Sequence, residues 1–381
     1  ISGSVSKFEL YNECSYKYFL TYIMKLKERE EFELSSIDMG NFYHEAIENY
    51  SRVLKAEGKT FKSVTEEERE QYISFAIQKT LEDMAKVATL EDSTQRYIVE
   101  TMKDTLRHTV EILTIQVNRG EFEPEYFEEE IVSKIKAEGS DEVIANLKGK
   151  VDRIDMTASE DKAIRIIDYK SSDHKLDLNE CYYGLSMQLP IYMGVVLDKL
   201  KDKYPNATLH PAAMLYYEMA NKYLKLASAG YTDEEERIKL SRMEGLLSSD
   251  EADLHANDST VGVEDGLSKA SSIVPYGLKS GGELTSTTNA VSRSEMTTII
   301  DYAFLSASRT AGQIIEGQFE PSPARLGNHI DACRYCNYQS ICHFNENEQG
   351  FTVRKLDKAG KNSDVVELMK EELGEKHSGT D

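Results

Sequence analysis

The chain contains 381 residues, of which 40% are hydrophobic and 29% charged, proportions typical of one large globular domain or of a core with an elaborated insertion. It contains no apolar run of 18 residues and no signal peptide, so we expect neither a membrane-spanning nor a secreted protein. Its 45 basic and 67 acidic residues give a net charge of −22, which argues against a stand-alone nucleic-acid-binding protein of the usual basic kind.

Capping residues and apolar periodicity predict most of the helices and strands. Three pairs of residues have the spacing of a capping box, namely Ser6 with Glu9, Thr65 with Glu68, and Ser292 with Glu295. Helices are therefore expected from about residue 6 and over about 38–58, 65–88, 93–119, 178–201 and 292–315. Strands are expected over about 125–137, 145–156, 163–170 and 212–218. Residues 246–291 are rich in Ser, Thr, Gly and Asp and are interpreted as mobile loops with an extended piece over 273–277.

The second predicted helix carries a polar stripe beside its apolar face. Gly40, His44 and Glu48 recur at every fourth position, a pattern that a simple core helix does not require. A small residue followed by an imidazole would let this helix approach a metal ion and donate a nitrogen ligand. For a histidine considered alone, a hydrogen-bonded and partly buried side chain is the more common explanation.

The strongest chemical signal follows the apolar run 163–167. Asp168 and Lys170 are two residues apart on a strand and therefore project from the same face. Asp152 comes sixteen residues before Asp168, an interval that suits two strands joined by the polar turn 158–162. Two carboxylates and an ammonium group near a bound Mg²⁺ suit the hydrolysis of phosphodiesters. A solvated strand end is the simpler explanation of Asp-x-Lys alone, but an unpaired charge at the end of a buried strand would be costly.

Gln188 and Tyr192 stand one helical turn apart on the helix that follows these strands, and could face the same groove. Pro190 lies between them and predicts a kink in this helix.

Taken in order, Gly40/His44, Gly149-x-x-Asp152, Asp168-x-Lys170 and Gln188-x-x-x-Tyr192 resemble the motifs of the RecB-like branch of the PD-(D/E)XK nucleases. The resemblance implies an α/β fold with a restriction-endonuclease-like core, a mixed sheet flanked by helices, to which helical parts are added. It implies that His44, Asp152 and Asp168, helped by the carbonyl of Tyr169, bind Mg²⁺ or Mn²⁺. By the same resemblance Lys170 orients the attacking water, and Gln188 and Tyr192 support the site or contact DNA. Glu48 and Asp155 receive no firm role.

Four of the five cysteines have a spacing typical of metal binding. Cys333, Cys336 and Cys342 are too close in sequence for ordinary disulfides, and Cys14 can supply a fourth thiolate. Zinc, with His343 as a possible local ligand, and an iron–sulfur cluster fit this spacing about equally well. Cys181 stands apart in a helical stretch and is interpreted as a small buried hydrophobe.

The arrangement of one cysteine before the nuclease core and three after it resembles that of the iron-staple nucleases. This resemblance implies a [4Fe-4S] cluster that clamps the two ends of the chain. The segments 4–20 and 317–342 are similar to those of AddB-type proteins, the B subunits of bacterial ATP-dependent helicase/nucleases. This second resemblance, over about 4–344, implies a cytoplasmic heterodimer with an A subunit, and cleavage of single-stranded DNA during repair of double-strand breaks. The sequence has no Gly-x-x-x-x-Gly-Lys-[Ser/Thr] loop, so we expect no ATP hydrolysis by this chain. It begins at Ile1 without a methionine, as we expect of an excised C-terminal nuclease domain.

The expected organisation is a nuclease domain over 1–345 and a charged, partly flexible tail over 346–381, helical over about 363–373. Within the domain we expect a helical part (about 4–120), a catalytic core (about 121–220), a loop-rich insertion (about 221–291) and a C-terminal helix with the cysteines (about 292–345). The acidic net charge is consistent with DNA delivered by a partner to a locally basic groove, for which the candidates are Lys17, Lys25, Lys27, Arg29, Arg153, Lys170 and Lys175.

Three other functions are compatible with the sequence. They are a free-standing RecB-like exonuclease, a non-catalytic module that binds DNA ends, and a zinc-clamped structural domain.

Overall fold

The computed structural model describes residues 1–27, 36–84, 93–172, 174–219, 234–264, 267–268, 270–327, 330–348 and 351–374. The helices are α1 Val5–Glu13, α2 Ser15–Tyr18, α3 Ser36–Ala56, α4 Glu66–Asp83, α5 Ser93–Arg119, α6 Leu178–Tyr182, α7 Gln188–Lys203, α8 Glu234–Leu240, α9 Glu251–Asn257, α10 Arg293–Ile315, α11 Gln339–Cys342 and α12 Asn362–Gly374, with a π-helical turn at Phe19–Ile23. The strands are β1 Ser2–Gly3, β2 Glu123–Lys136, β3 Val143–Met156, β4 Asp161–Lys170, β5 Thr208–Glu218, β6 Glu244–Ser248, β7 Val263–Glu264, β8 Leu267–Ser268, β9 Ala290–Val291, β10 Ala324–Leu326, β11 Ile330–Asp331 and β12 Arg354–Leu356.

A mixed seven-stranded sheet forms the centre of the fold. Its strand order is β1-β3-β4-β5-β6-β9, and β2 also pairs with β3. The β2–β3 and β3–β4 pairs are antiparallel hairpins, whereas β4 and β5 are parallel. A parallel pair needs a long crossover, and here α6 and α7 provide it. The predicted α/β core, a mixed sheet flanked by helices, is confirmed.

Both faces of the sheet are covered because its central strands are apolar on both sides. Ile166 belongs to a hydrophobic cluster with residues of α7 and α10. Ile167, the next residue, packs with residues of α3 and α5 on the opposite face. Successive side chains of a strand point to opposite faces, so one short apolar run contributes to two cores.

The capping boxes at Thr65–Glu68 and Ser292–Glu295 are observed with both reciprocal hydrogen bonds. The box predicted at Ser6–Glu9 is wrong. Helix α1 begins at Val5, one residue before the expected cap. The carboxylate of Glu9 instead accepts hydrogen bonds from backbone N–H groups at the start of α7. The start of α7, far along the chain, thus binds the Glu9 side chain that the local pattern had assigned to the start of α1.

The predicted helix over 178–201 is two helices, α6 and α7, and the predicted kink at Pro190 is wrong. Pro190 is the third residue of α7. In the first turn a backbone N–H has no partner within the helix, so proline removes no hydrogen bond there. The third predicted helix ends at Asp83, and its expected continuation to residue 88 falls outside the described residues.

The region expected to be mobile loops contains ordered secondary structure. Strand β6 pairs with β5, and α9 follows directly, with the side chain of Asp250 accepting the N–H of Ala252 as a cap. Leu254 is buried in the core on the α3 side. Of the wider insertion predicted over 221–291, residues 221–233 lie outside the described part of the chain.

The described part of the predicted tail, residues 346–348 and 351–374, packs on the core through its helix. Strand β12 pairs in parallel with β10. The predicted helix over about 363–373 is observed as α12, with Val365, Val366 and Met369 buried. These apolar residues recur on one side of the helix, which explains why a charged segment docks.

Candidate active site

Asp152 and Asp168 come together because β3 and β4 form an antiparallel hairpin. Arg153 pairs with Ile167 across the two strands, which places Asp152 beside Asp168 at the next position. Both carboxylates are buried. Oδ2 of Asp152 accepts the backbone N–H of Tyr169 at 2.6 Å. The hairpin therefore brings the two acidic side chains to one end of the central sheet.

Lys170, Asp168 and Gln188 form a closed set of polar contacts. Nζ of Lys170 lies 2.6 Å from Oδ2 of Asp168 and donates to Oε1 of Gln188 at 3.1 Å. Gln188 is the first residue of α7, and its Nε2 donates to Oδ1 of Asp168 at 2.8 Å. The Lys170 side chain remains 23% exposed. The ammonium group is thus fixed in position yet open to a ligand.

A second set of ligand atoms lies against Asp152. Nδ1 of His44 is 3.4 Å from Oδ1 of Asp152 and 3.5 Å from Oε1 of Glu128. In the part of the chain that the structure describes, these three residues are the group of His, Cys, Asp and Glu side chains whose ligand atoms all lie within 4.8 Å of one another. Two carboxylates and an imidazole could together hold a divalent metal ion.

Glu128 was not among the predicted site residues. It lies between the cross-strand pairs Phe127–Arg153 and Glu129–Val151, directly opposite Asp152. Its backbone φ is 50°, which is uncommon for a residue other than glycine. Within the sequence it is only the first of three consecutive glutamates, so no motif distinguishes it from its neighbours.

A basic side chain holds Glu128 in place and links it to α3. Nζ of Lys150 lies 2.9 Å from Oε2 of Glu128 and 3.8 Å from Oε2 of Glu48. These residues and His44 line an open cavity of about 730 Å³ that extends toward Arg52 and Lys79. Glu48 of the predicted polar stripe is therefore close to the site but is paired with cations.

The charges around Asp152 perturb one another strongly. Burial, together with the charge of Asp168, raises the pKa of Asp152 to about 6. Burial lowers the pKa of His44, but hydrogen bonds to Asp152 and Glu128 outweigh this effect and raise it to about 10. Carboxylates crowded in this way favour a nearby positive charge.

The donor set fits a divalent cation. Oδ2 of Asp168 is buried and has no hydrogen-bond donor in suitable geometry, although Nζ of Lys170 is close. His44, Glu128 and Asp152 are the residues that would hold the ion, with Asp168 beside them. Of the predicted ligand set, His44 and Asp152 are adjacent, whereas Asp168 contacts Lys170 and Gln188. The structure fixes Tyr169 through its N–H, and its carbonyl remains a predicted ligand.

Tyr192 packs on the backbone of Gly149, and this contact explains why a glycine stands three residues before Asp152. A Cβ atom at residue 149 would lie 2.5 Å from Oη of Tyr192 and 2.7 Å from its Cε1. Burial raises the pKa of Tyr192 to about 12. The other glycine of the sequence motifs, Gly40, has open space around the position of a Cβ, so the expected close approach does not depend on it.

Beneath the site lies a buried ion network that includes a wrongly assigned residue. Arg153 was a candidate for the basic groove, but it is fully buried and donates to both carboxylate oxygens of Asp155 at 2.6 and 2.9 Å. Arg165 donates to the same carboxylate at 2.6 Å. Asp155 is therefore the centre of a structural network, and Arg153 cannot contact DNA. Arg29, another candidate, falls outside the described residues.

The four predicted metal-binding cysteines line one cavity of about 270 Å³ at the junction of the two ends of the chain. Cys14 comes from the α1–α2 junction, and Cys333, Cys336 and Cys342 come from the segment around α11. Burial and the neighbouring thiols raise the pKa of Cys333 to about 11. His343, the alternative zinc ligand, is not among the residues that line this cavity. Cys181 is buried elsewhere in the core, as predicted.

The mixed sheet, the carboxylate-rich end of its β3–β4 hairpin and the adjoining lysine define a metal-dependent nuclease. The chain belongs to the PD-(D/E)XK nuclease superfamily, whose family model matches residues 2–343.

Curated relatives of this chain include proteins described as the B subunit of an ATP-dependent helicase/deoxyribonuclease. The chain is 29% identical over 374 residues to the protein of this name from Lachnoclostridium phytofermentans, an alignment that covers 97% of this chain and 32% of the relative. The protein from Listeria monocytogenes serotype 4a is 31% identical over 355 residues, which cover 90% of this chain and 30% of the relative. The one from Clostridioides difficile is 28% identical, with 97% and 32% covered. The chain thus spans about a third of the length of these relatives.

Proposed function

We propose that this chain is the nuclease domain of an AddB-type subunit and hydrolyses phosphodiester bonds of single-stranded DNA as an exonuclease dependent on Mg²⁺ or Mn²⁺. The observation that carries the proposal is the position of the His44–Glu128–Asp152 ligand set next to Asp168, whose carboxylate in turn contacts Lys170 and Gln188. A general DNA-binding module would not need a cation site and a fixed ammonium group side by side.

Each side chain has a separate task in the proposed reaction. Lys170 donates hydrogen bonds to the attacking water and to the developing phosphorane charge, since its ammonium group is partly exposed. Gln188 keeps this ammonium group beside Asp168. His44, Glu128 and Asp152 would hold a divalent ion, which when bound would supply a lowered pKa of water and positive charge at the scissile phosphate. Tyr192 packs on Gly149 and so supports the strand that carries Asp152.

The proposed partner is the A subunit of a helicase/nuclease complex, and the proposed setting is the bacterial cytoplasm during processing of double-strand breaks. The relatives are named as one subunit of a helicase/deoxyribonuclease, which supports a complex of this kind. The net charge of −22 supports delivery of the DNA strand by a partner. Within the described residues no helix is long and apolar enough to cross a membrane.

We further propose that Cys14, Cys333, Cys336 and Cys342 hold a [4Fe-4S] cluster. All four line a common cavity of about 270 Å³ between the two ends of the chain. The cavity between them therefore suits a body larger than a single ion. A cluster bound here would supply a structural clamp between the two ends of the chain.

The test is cleavage of an end-labelled single strand as Mg²⁺ is titrated, with wild-type protein and the Asp168→Ala variant. We expect cleavage to require the metal and to be abolished in the variant, while circular dichroism shows the fold unchanged. The exposed carboxylate variant Asp202→Ala serves as the matched control and should cleave as the wild type does. Binding without cleavage by the wild type would favour the non-catalytic module, and wild-type rates in Asp168→Ala would contradict the assigned site.

A further inference from the structure

Glu9 is a half-buried carboxylate on α1 whose hydrogen-bond partners lie at the start of another helix. Its Oε1 accepts the backbone N–H of Met187 at 2.6 Å and that of Gln188 at 3.0 Å. Met187 precedes α7 and Gln188 opens it. The first N–H groups of a helix have no partner within the helix, and a carboxylate at this end is also favoured by the helix dipole. Glu9 therefore fixes where α7 begins.

The residue fixed in this way is the one that holds the catalytic lysine. The side chain of Gln188 contacts both Lys170 and Asp168. A continuous chain of hydrogen bonds thus runs from Glu9 through the backbone and side chain of Gln188 to the ammonium group of Lys170. The Glu9 carboxyl is also close enough to Lys170 and Asp168 for their charges to affect its pKa, which burial raises overall.

We infer that Glu9 is a positioning residue of the nuclease site, acting through Gln188 to set the place of Lys170. This inference rests on the proposed function and deepens it. The active site is then incomplete without the N-terminal segment, which also carries Cys14 five residues later. Contacts that tie this segment to the other end of the chain include the hydrogen bond from the hydroxyl of Ser15 to the carbonyl of Glu320 at 2.7 Å. The junction of the two ends of the chain therefore helps to hold Glu9 in place, and through Glu9 the Lys170 side chain that cleavage needs.

The experiment compares Glu9→Ala, Glu9→Asp and Glu9→Gln in the complete chain under single-turnover and steady-state conditions. Alanine leaves two backbone donors without an acceptor, and aspartate is one methylene too short to reach both, whereas the glutamine amide oxygen can accept both. We expect kcat to fall at least tenfold in Glu9→Ala, less in Glu9→Asp, and to stay within threefold of wild type in Glu9→Gln, with KM for the DNA strand within twofold throughout. Ser6→Ala, an exposed change on the same helix, is the control and should match wild type.

Two further measurements separate positioning from a purely structural contact. In a double-mutant cycle Glu9→Ala should add little to the loss caused by Gln188→Ala, because both act through one route. In metal-free protein an amine-acylating reagent should label Lys170 at least threefold faster in Glu9→Ala than in wild type, a result that does not depend on activity.

Full kcat in Glu9→Ala with lowered thermal stability, additive losses in the cycle, or unchanged labelling of Lys170 would each overturn the inference. If Glu9→Ala does not fold, the same measurements are made on Glu9→Asp. A kcat of Glu9→Asp equal to that of the wild type then overturns the inference. Failure of the wild type itself to cleave DNA would instead count against the proposed function, and labelling would still decide the role of Glu9.

Discussion

Glu128 holds a carboxylate oxygen 3.5 Å from Nδ1 of His44, in a backbone conformation that glycine would adopt more readily. The left-handed region costs an ordinary residue about 1–2 kcal/mol. Strain of this kind persists where the surrounding structure imposes it, commonly at functional sites. Here the β2–β3 pairing on both sides of Glu128 and its ion pair with Lys150 supply that constraint. Glu128 thus combines a strained backbone with a place in the candidate metal site.

Substitution of Glu128 should separate stability from activity. Glu128→Gly and Glu128→Ala both remove the carboxylate, so both should weaken Mn²⁺ binding and lower cleavage at least tenfold. Because φ is 50° at this position, the glycine variant should be more stable than the alanine variant by about 1 kcal/mol. Denaturant unfolding and calorimetric titration with Mn²⁺ measure the two effects. Equal metal affinity in wild type and both variants would remove Glu128 from the site.

The two motif glycines should respond in opposite ways to alanine. In Gly149→Ala the new Cβ would lie 2.5 Å from Oη of Tyr192, and such overpacking costs about 1–3 kcal/mol. Displacement of the ring next to Asp152 should also lower kcat at least tenfold. Gly40→Ala meets nothing within 4 Å and should stabilise α3 by about 0.5–1 kcal/mol.

Thermal melts and cleavage assays on the two glycine variants make this comparison. In a double-mutant cycle, the stability losses of Gly149→Ala and Tyr192→Ala should be less than additive, since the clash is absent once the ring is removed. A Gly149→Ala variant as stable and active as wild type would show that the Tyr192 contact does not constrain the site.

The β3–β4 hairpin of the candidate site could be predicted from the sequence because its signals are local. The period of two along β4 and the short turn before it place Asp168 and Lys170 near Asp152 without knowledge of the rest of the fold. The same reasoning fails for Glu128, whose role depends on the pairing of β2 with β3 and on one unusual φ.

Glu9 illustrates the opposite error. Its spacing from Ser6 fits a local capping box, yet the buried end of α7 takes its carboxylate. One local feature did indicate that Glu9 faces the core. The buried residues of α1 are Val5, Phe8 and Tyr11, and Glu9 lies between them in the sequence. Its actual partner, 178 residues away, becomes visible only when α1 and α7 are seen together.

Loss of one clustered cysteine should release the ends of the chain. We expect anaerobically prepared Cys336→Ala to lose iron, sulfide and the absorption near 400 nm, and to melt at a lower temperature. A cross-link between segments more than 300 residues apart contributes stability on the order of a few kcal/mol. The loss of stability in Cys336→Ala should lie at the lower end of this range, because the hydroxyl of Tyr11 also donates to the carbonyl of Gln318 across the same junction.

Cys181→Ala is the control for this experiment, since Cys181 is buried away from the cluster cavity. It should retain the iron and the absorption. Zinc in place of iron in the wild type would refute the cluster, and an unchanged melting temperature in Cys336→Ala would refute the clamp.

Glu180 should make the protein less stable as the pH rises. Burial, with the charge of Asp177, raises the pKa of this carboxyl to about 7, above its ordinary value of 4.5. The folded state therefore binds the proton more tightly than the unfolded state, so folding is favoured at low pH and loses stability as the pH rises from about 4.5 to 7. Glu180→Gln removes this ionisation, and should be more stable than wild type at pH 8 by about 1 kcal/mol, allowing for screening by solvent.

Thermal melts from pH 5 to pH 8 should show the two proteins converging at the acidic end, with the exposed variant Glu367→Gln following wild type throughout. A constant difference across this range would mean that the amide improves packing and that Glu180 is ionised without cost.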